Sequence, residues 1–462
     1  MKVFRAPAIS LLFVFCVLLG GTRSQAKQPV VANDLLLTTL QAELERGRAE
    51  LSKLDPAPYF ISYSVADSQS LMVVSAQGGI LNSMQGRRRV ADVSLRIGTP
   101  ELDNTDGEQR FSGLTSGQLP LRDDPDAIAR VLWKLTYEQY RKAQRAYSEV
   151  KTKSAVRAQD EDQSADFSEE KPSTDIDPLH PARFPEQKRW EDLARRFSAS
   201  FRQDSRVEQS MVVLLGNDNR SYTVSTEGTK VVTQDAIFRV MIQAETRADD
   251  GMQLMRVETF QFSDPAKMPT EAEIATIAKK MTDDLEALRN APLAEPYSGP
   301  ALLSGRAAAV FFHEVLGHRV EGQRQRGRDE GQTFAKKINE KVMPEFLSVT
   351  DDPTLRSLGG RELSGWYRYD DEGIPASRVE VVKDGVLKNF LMGRMPVKNF
   401  SHSNGHGRSQ AGMMPVGRQA NLIVTSSKQC RTRNCGRALS KKSRSRASPT
   451  VSTLKTFRAG SR

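Results

Sequence analysis

Two periodicities alternate along the chain, one helical and one of period two, and they divide it into elements. Leu36, Leu40, Leu44, Leu51 and Leu54 recur at helical spacing between Asn33 and Leu54, and Asp55-Pro56 stops the run. This predicts a first helix. Tyr59 to Asp67 and Leu71 to Val74 read as strands. Ala91, Val93, Leu95 and Ile97 then alternate with Asp92, Ser94 and Arg96, which predicts a half-buried strand ending at Gly98. Asp124-Pro125 supplies an N-cap with proline at the first helical position. Ile128, Val131, Leu132 and Leu135 continue that helix, which is expected to reach about Arg157. Strand patterning returns from Arg206 in four runs with short turns, a second antiparallel sheet. Thr270 with Glu273 forms a capping box, and Ile274, Ile277, Met281, Leu285 and Leu288 line the helix behind it. Further on, EFLSVTDDPT reads as a strand into a turn, and RVEVVKDGVLKNFL as a hairpin with Asp384-Gly385 at its tip. PVGRQANLIV is one more strand. The fold class is α+β, with an N-terminal helix-plus-antiparallel-sheet domain and a C-terminal, mostly antiparallel β domain.

The polar stretches set the boundaries. The first 26 residues carry Lys2 and Arg5, then an apolar run from Ala8 to Gly21, then Ser24 and Ala26 at the spacing of a cleavage site. That is the pattern of a secretory signal peptide, and it predicts a periplasmic or secreted protein with no membrane contact after cleavage, with an uncleaved N-terminal anchor as the lesser alternative. Residues 158–178 are acidic and nearly free of large apolar side chains, and read as a flexible linker. It separates residues 27–157 from residues 179–300, which complete the N-terminal domain. Residues 301–427 form the C-terminal domain. Residues 428–462 hold eleven Lys/Arg and no acid, and read as a basic disordered tail.

Charge changes the picture less than the net value of +10 suggests. The two ends hold the excess, and residues 27–427 carry 53 basic against 57 acidic side chains. A disordered basic tail gives nonspecific attraction only, so specific nucleic-acid binding is not expected. Of the three cysteines, Cys16 lies in the leader and Cys430 and Cys435 in the tail. A disulfide framework and a cysteine ligand from within the globular part are both excluded.

The chemistry concentrates between Ala301 and Arg326, where His313, Glu314 and His318 follow an apolar AAAVFF run. Two imidazoles are good zinc ligands, and a neighbouring carboxylate can act as general base. The familiar H-E-x-x-H spacing puts both rings on one helical face. Here the spacing is i to i+5, which on a regular helix places the rings about 140° apart. Either the two histidines are unrelated, or a π-bulge or a helix end near Gly317 realigns them. The apolar run predicts a buried helix. His402 and His406 lie in a glycine-rich loop, where one of them could substitute as a ligand but a loop or substrate-contact role suits both better. His180 is expected at the surface. Asp351-Asp352 and Asp370-Asp371-Glu372 fit turn chemistry as well as acid/base work.

HEVLGHRVEG resembles the signature of the TldD/PmbA family of zinc metalloproteases, whose active subunit carries HExxxH on a helix followed by Glu-Gly. SYTVSTEGTKV, LSVTDDPT, YDDEGIPASRVEVVKDGVLKNFL, SNGHGR and PVGRQANLIV are similar to further blocks of that family, in order, from about Arg206 to Val424. The resemblance implies zinc as cofactor, His313 and His318 as its ligands, and Glu314 as the general base. It implies hydrolysis of peptide bonds in exposed or unfolded segments, and a homo- or heterodimer with a family partner. One partner in such pairs lacks HExxxH, so an inactive binding subunit is the alternative. The family's third zinc ligand is a downstream cysteine. Cys430 and Cys435 arrive early, in a segment unlike the family, and neither is assigned. The abrupt change after Gln429 is the pattern of a frameshift or truncated reading, which the coding DNA would test.

Overall fold

A computed structural model describes residues 34–429 and 452–454, except 106–112, 155–161, 327–331 and positions 203, 295, 297, 300 and 304. The leader, Cys430, Cys435 and nearly all of the basic tail lie outside the described residues. Within the tail, Ser452–Leu454 pairs in parallel with Ala301–Leu303.

The N-terminal part is built on one seven-stranded sheet. Its strands are β1 (Pro58–Ala76), β2 (Gly79–Ile97), β3 (Leu114–Gln118), β4 (Thr174–Ile176), β5 (Gln209–Ser225), β6 (Lys230–Arg247) and β7 (Gln253–Phe262). The order is β3-β2-β1-β5-β6-β4, with β7 also paired to β6. All pairings are antiparallel except β4 with β6. The two short strands expected at Tyr59 to Asp67 and Leu71 to Val74 are one 19-residue strand. Polar Ser68, Gln69 and Ser70 interrupt the apolar pattern, but ladders to β2 and β5 run through them without a break. Backbone pairing on both sides overrides local composition there.

Four helices cover one face of this sheet. They are α1 (Leu35–Leu51), α2 (Pro125–Ser154), α3 (Gln187–Ala199) and α4 (Glu271–Arg289). Ile61, Tyr63 and Val65 of β1 pack with Leu36, Leu40 and Leu44 of α1 and Ile128 and Leu132 of α2. Leu71 and Val73, farther along the same face, pack with Trp190 and Phe197 of α3 and Ile274, Met281 and Leu285 of α4. Helix α1 ends at Leu51, and Leu54 is exposed. Its N-cap is Asp34, whose Oδ1 accepts from the Leu37 amide at 3.1 Å and whose Oδ2 accepts from buried Arg220 of β5 at 2.9 Å. The capping box at α4 forms as the sequence predicts.

The opposite face is polar, with Ser64, Ser68, Asn217, Asn219 and Ser221 turned outward. The C-terminal part leans on this face through Trp366, Tyr367, Asp370 and Arg408, across a cleft of about 600 Å³. Its core is a four-stranded sheet in which Leu347–Asp351 lies between Val379–Lys383 and Leu422–Ser426, with Val386–Leu387 at one edge. The hairpin turns at Asp384 (φ 47°) and Gly385 (φ 80°), a pair with positive φ that only such residues adopt readily.

Residues 162–178, the described part of the expected flexible linker, pack as a strap between the two parts. The amides of Asp166 and Phe167 both donate to the Pro100 carbonyl. The Phe167 ring lies between two guanidiniums, those of Arg96 and Arg394, each 3.8 Å from its centroid. Asp166 pairs with Arg326 at 2.8 Å. No helix among the described residues is long and apolar enough to cross a membrane.

Candidate metal centre

A fifth helix, α5 (Arg306–Val315), carries the histidine stretch into the C-terminal part. It ends where the i-to-i+5 spacing requires a change of geometry. Leu316 is the C-cap, its backbone distorted within the right-handed region (φ −117°, ψ −54°), and Gly317–Val320 continue as a 3₁₀ turn. No π-bulge forms. The tighter turn brings His318 back under His313, with ring centroids 4.4 Å apart and planes at 76°. Leu316 and Val320 are buried in the C-terminal core and anchor this junction. The Val320 carbonyl accepts from the Leu391 amide and the Leu391 carbonyl from the Gly322 amide, each at 2.8 Å.

Gly317 was expected to supply backbone freedom. Its φ lies outside the left-handed region, and the reason for glycine is space. A Cβ there would come within 1.9 Å of the Gln419 side-chain oxygen. The expectation of a buried helix also fails. Of α5 only Ala307 is buried, while Phe311 and Val315 are 45 % and 46 % exposed. The helix is tethered at its C-terminal end and otherwise lies at the surface.

Glu314 sits between the rings. Its Oε1 is 4.0 Å from His313 Nε2 and its Oε2 is 4.0 Å from His318 Nε2. One ligand atom from each of the three residues lies within 4.8 Å of the others. Burial and the neighbouring His318 lower the His313 pKa, with Arg418 adding to this against Glu314 and Glu321. A neutral imidazole is the form that binds a metal. The donor set, two imidazole nitrogens beside a carboxylate on a half-exposed turn, therefore fits zinc chemistry. Among the described residues no further His or Cys joins the group.

The other candidates lie elsewhere. His406 is fully buried, with Nε2 3.2 Å from Asp351 Oδ1 and Nδ1 3.0 Å from both the carbonyl and the side-chain oxygen of Asn404. His402 is exposed and lies 3.5 Å from Glu170. His180 is exposed. Asp352 and Asp370 make turns, the first accepting from Thr354 and the second from the Glu372 and Ile374 amides.

Glu321 and Arg418 lie at the site without a role assigned to them from the sequence. Glu321 is fully buried and its Oε1 lies 2.9 Å from His318 Nδ1. Burial would raise its pKa, but bonds from His318 and Arg324 and the charge of Arg418 bring it below the usual value. The signal available was the Glu-Gly after the second histidine, three residues on in a turn. Arg418 approaches Glu321 at 3.4 Å, and its backbone amide donates to the His406 carbonyl. Asp351 accepts from the Ala420 amide, so the buried His406–Asp351 pair holds residues 418–420 against Gly317. Arg418 and Gln419 also line an open cleft of about 450 Å³ that continues past Tyr367 and Arg408.

An α+β fold with an H-E-x-x-x-H group at a helix end thus presents a candidate metal centre. Residues 296–437 match a family model described as "PmbA/TldA metallopeptidase C-terminal domain", so this part of the chain is similar to the PmbA/TldD metallopeptidases. A metalloprotease of Archaeoglobus fulgidus is 37 % identical over 124 residues, 27 % of this chain and 27 % of that protein. The zinc metalloprotease TldD homolog of Saccharolobus solfataricus is 28 % identical over 121 residues, 26 % of this chain and 25 % of that protein. The matched segments thus span about a quarter of the relatives' lengths. Two solved structures share the fold at 15 % identity and a TM-score of 0.57. TldE from Thermococcus kodakarensis covers 85 % of this chain and 78 % of its own, and a putative modulator of a DNA gyrase from Thermotoga maritima covers 84 % and 78 %.

Proposed function

We propose that this chain is a zinc-dependent peptide hydrolase acting on exposed or unfolded segments. The observation that carries the reading is the meeting of His313, Glu314 and His318 across a broken helix end. His313 and His318 would hold zinc, which would acidify a water and polarise the peptide carbonyl. Glu314 accepts the water's proton as its oxygen attacks the carbonyl carbon. It returns that proton to the amine nitrogen as the C–N bond breaks. The cleft beside Arg418 and Gln419 is open, which suits an extended segment more than a folded surface.

The alternative is a binding subunit without catalysis, which a group of two histidines and one carboxylate would also allow. Metal analysis and one substitution separate the two. Purified protein should hold zinc, and Glu314→Gln should retain it while peptide cleavage falls by about 10²–10⁴-fold. A chain that binds no zinc ends the enzyme reading. Pairing with a family partner and export through the leader belong to the same proposal. Light scattering tests the first and N-terminal sequencing of exported protein the second.

A further inference from the structure

We propose that Glu321 is the positioning residue of this site, fixing His318 with its proton on Nδ1 so that Nε2 faces Glu314 and His313. The inference rests on the zinc reading above. His318 has two nitrogens, and either can bind a metal. The bond from Nδ1 to Glu321 Oε1, at 2.9 Å, occupies one of them. The other, Nε2, lies 4.0 Å from Glu314. An ionised carboxylate only accepts, so the shared proton belongs on Nδ1.

The carboxylate is held as a fixed anion. Its Oε2 accepts from Arg324 at 2.8 Å and from Gln323 at 3.3 Å, and Arg418 lies 3.4 Å from Oε1. Its backbone is fixed too, since Glu321 bridges Leu391 and its carbonyl accepts from Gln325 at 3.0 Å. Glu321 therefore cannot follow a rotating imidazole, and the imidazole is oriented by it. Arg418 couples this anion to the cleft, because the same residue lines the open space beside Tyr367 and Arg408. A carboxylate behind a ligating histidine fixes its tautomer and strengthens it as a ligand, and losing such a partner typically costs 10–100-fold in metal affinity, roughly.

Two measurements on the full-length chain test this. The first follows ¹⁵N-histidine signals on adding zinc, with His318 assigned by their loss in His318→Asn. The expected signature is a protonated Nδ1 and a metallated Nε2 at His318. The second is zinc affinity by competition with a chromophoric chelator, measured where both proteins are fully folded, where Glu321→Gln should weaken binding by about 10–100-fold. Wild-type affinity in Glu321→Gln, or metallation at Nδ1, overturns the inference and leaves the zinc reading standing. A wild-type chain that takes up no zinc overturns both. If Glu321→Gln does not fold, the tautomer signature of the wild-type chain decides alone.

Discussion

At the scale of single residues, buried Asp370 and half-buried Glu372, away from the candidate metal group, should contribute to the pH response. Burial raises the Glu372 pKa against the pull of Arg394, and it raises Asp370 well above the usual carboxyl range, with Glu372 adding repulsion. A carboxyl with a raised pKa binds its proton more tightly folded than unfolded. Its contribution is fully present below the ordinary value of 4.5 for Glu and is lost as pH rises through the raised value. Stability should therefore decline over that window by up to about 1.4 kcal/mol per pH unit from this group. Glu372→Gln keeps an acceptor for the Arg394 amide, which Glu372 Oε2 now binds at 2.7 Å, and removes the like charge beside Asp370. Denaturant unfolding from pH 4 to 8 should show a shallower decline in Glu372→Gln than in the wild type. Parallel profiles would mean that the pair carries no titration of its own.

At the scale of elements, what repeats locally was legible and what depends on distant partners was not. Helix α1, helix α4 and the hairpin at Asp384-Gly385 are written in spacing, caps and turn residues, all read within a few positions. The strap at 162–178 is acidic and looks disordered, because what fixes it is Arg96, Arg326 and Arg394, far away along the chain. Helix α5 misleads in the opposite sense, since its apolar run lies half exposed. The helix break was foreseen as one of two ways to realign the histidines, but its cause was misplaced. Leu316 turns the chain, and Gly317 makes room for Gln419. That room is tested by Gly317→Ala. The Gln419 amide has no hydrogen-bond partner among the described residues, so moving it breaks no bond. We expect a loss of about 1–3 kcal/mol from overpacking, measured by denaturant unfolding, with most of it recovered in Gly317→Ala/Gln419→Ala. Additive losses would show that the glycine is needed for its backbone.

At the scale of the whole molecule, one guanidinium joins pieces that the chain keeps far apart. Arg394 pairs bidentately with Glu227 in the turn between β5 and β6, at 2.7 and 2.8 Å. It also donates to the Ser168 carbonyl of the strap and lies over Phe60 of β1 and Phe167. It is 3 % exposed. Removing buried Arg394 takes away its ion pair to partly exposed Glu227 and its stacking on Phe167 together. Arg394→Ala should lower the unfolding midpoint accordingly. It should also open the chain to limited proteolysis near the strap. Phe167→Ala should cost less in that background than in the wild type, because one of the ring's two cationic partners is gone. Equal costs in both backgrounds would mean that the aromatic ring and the guanidinium act independently.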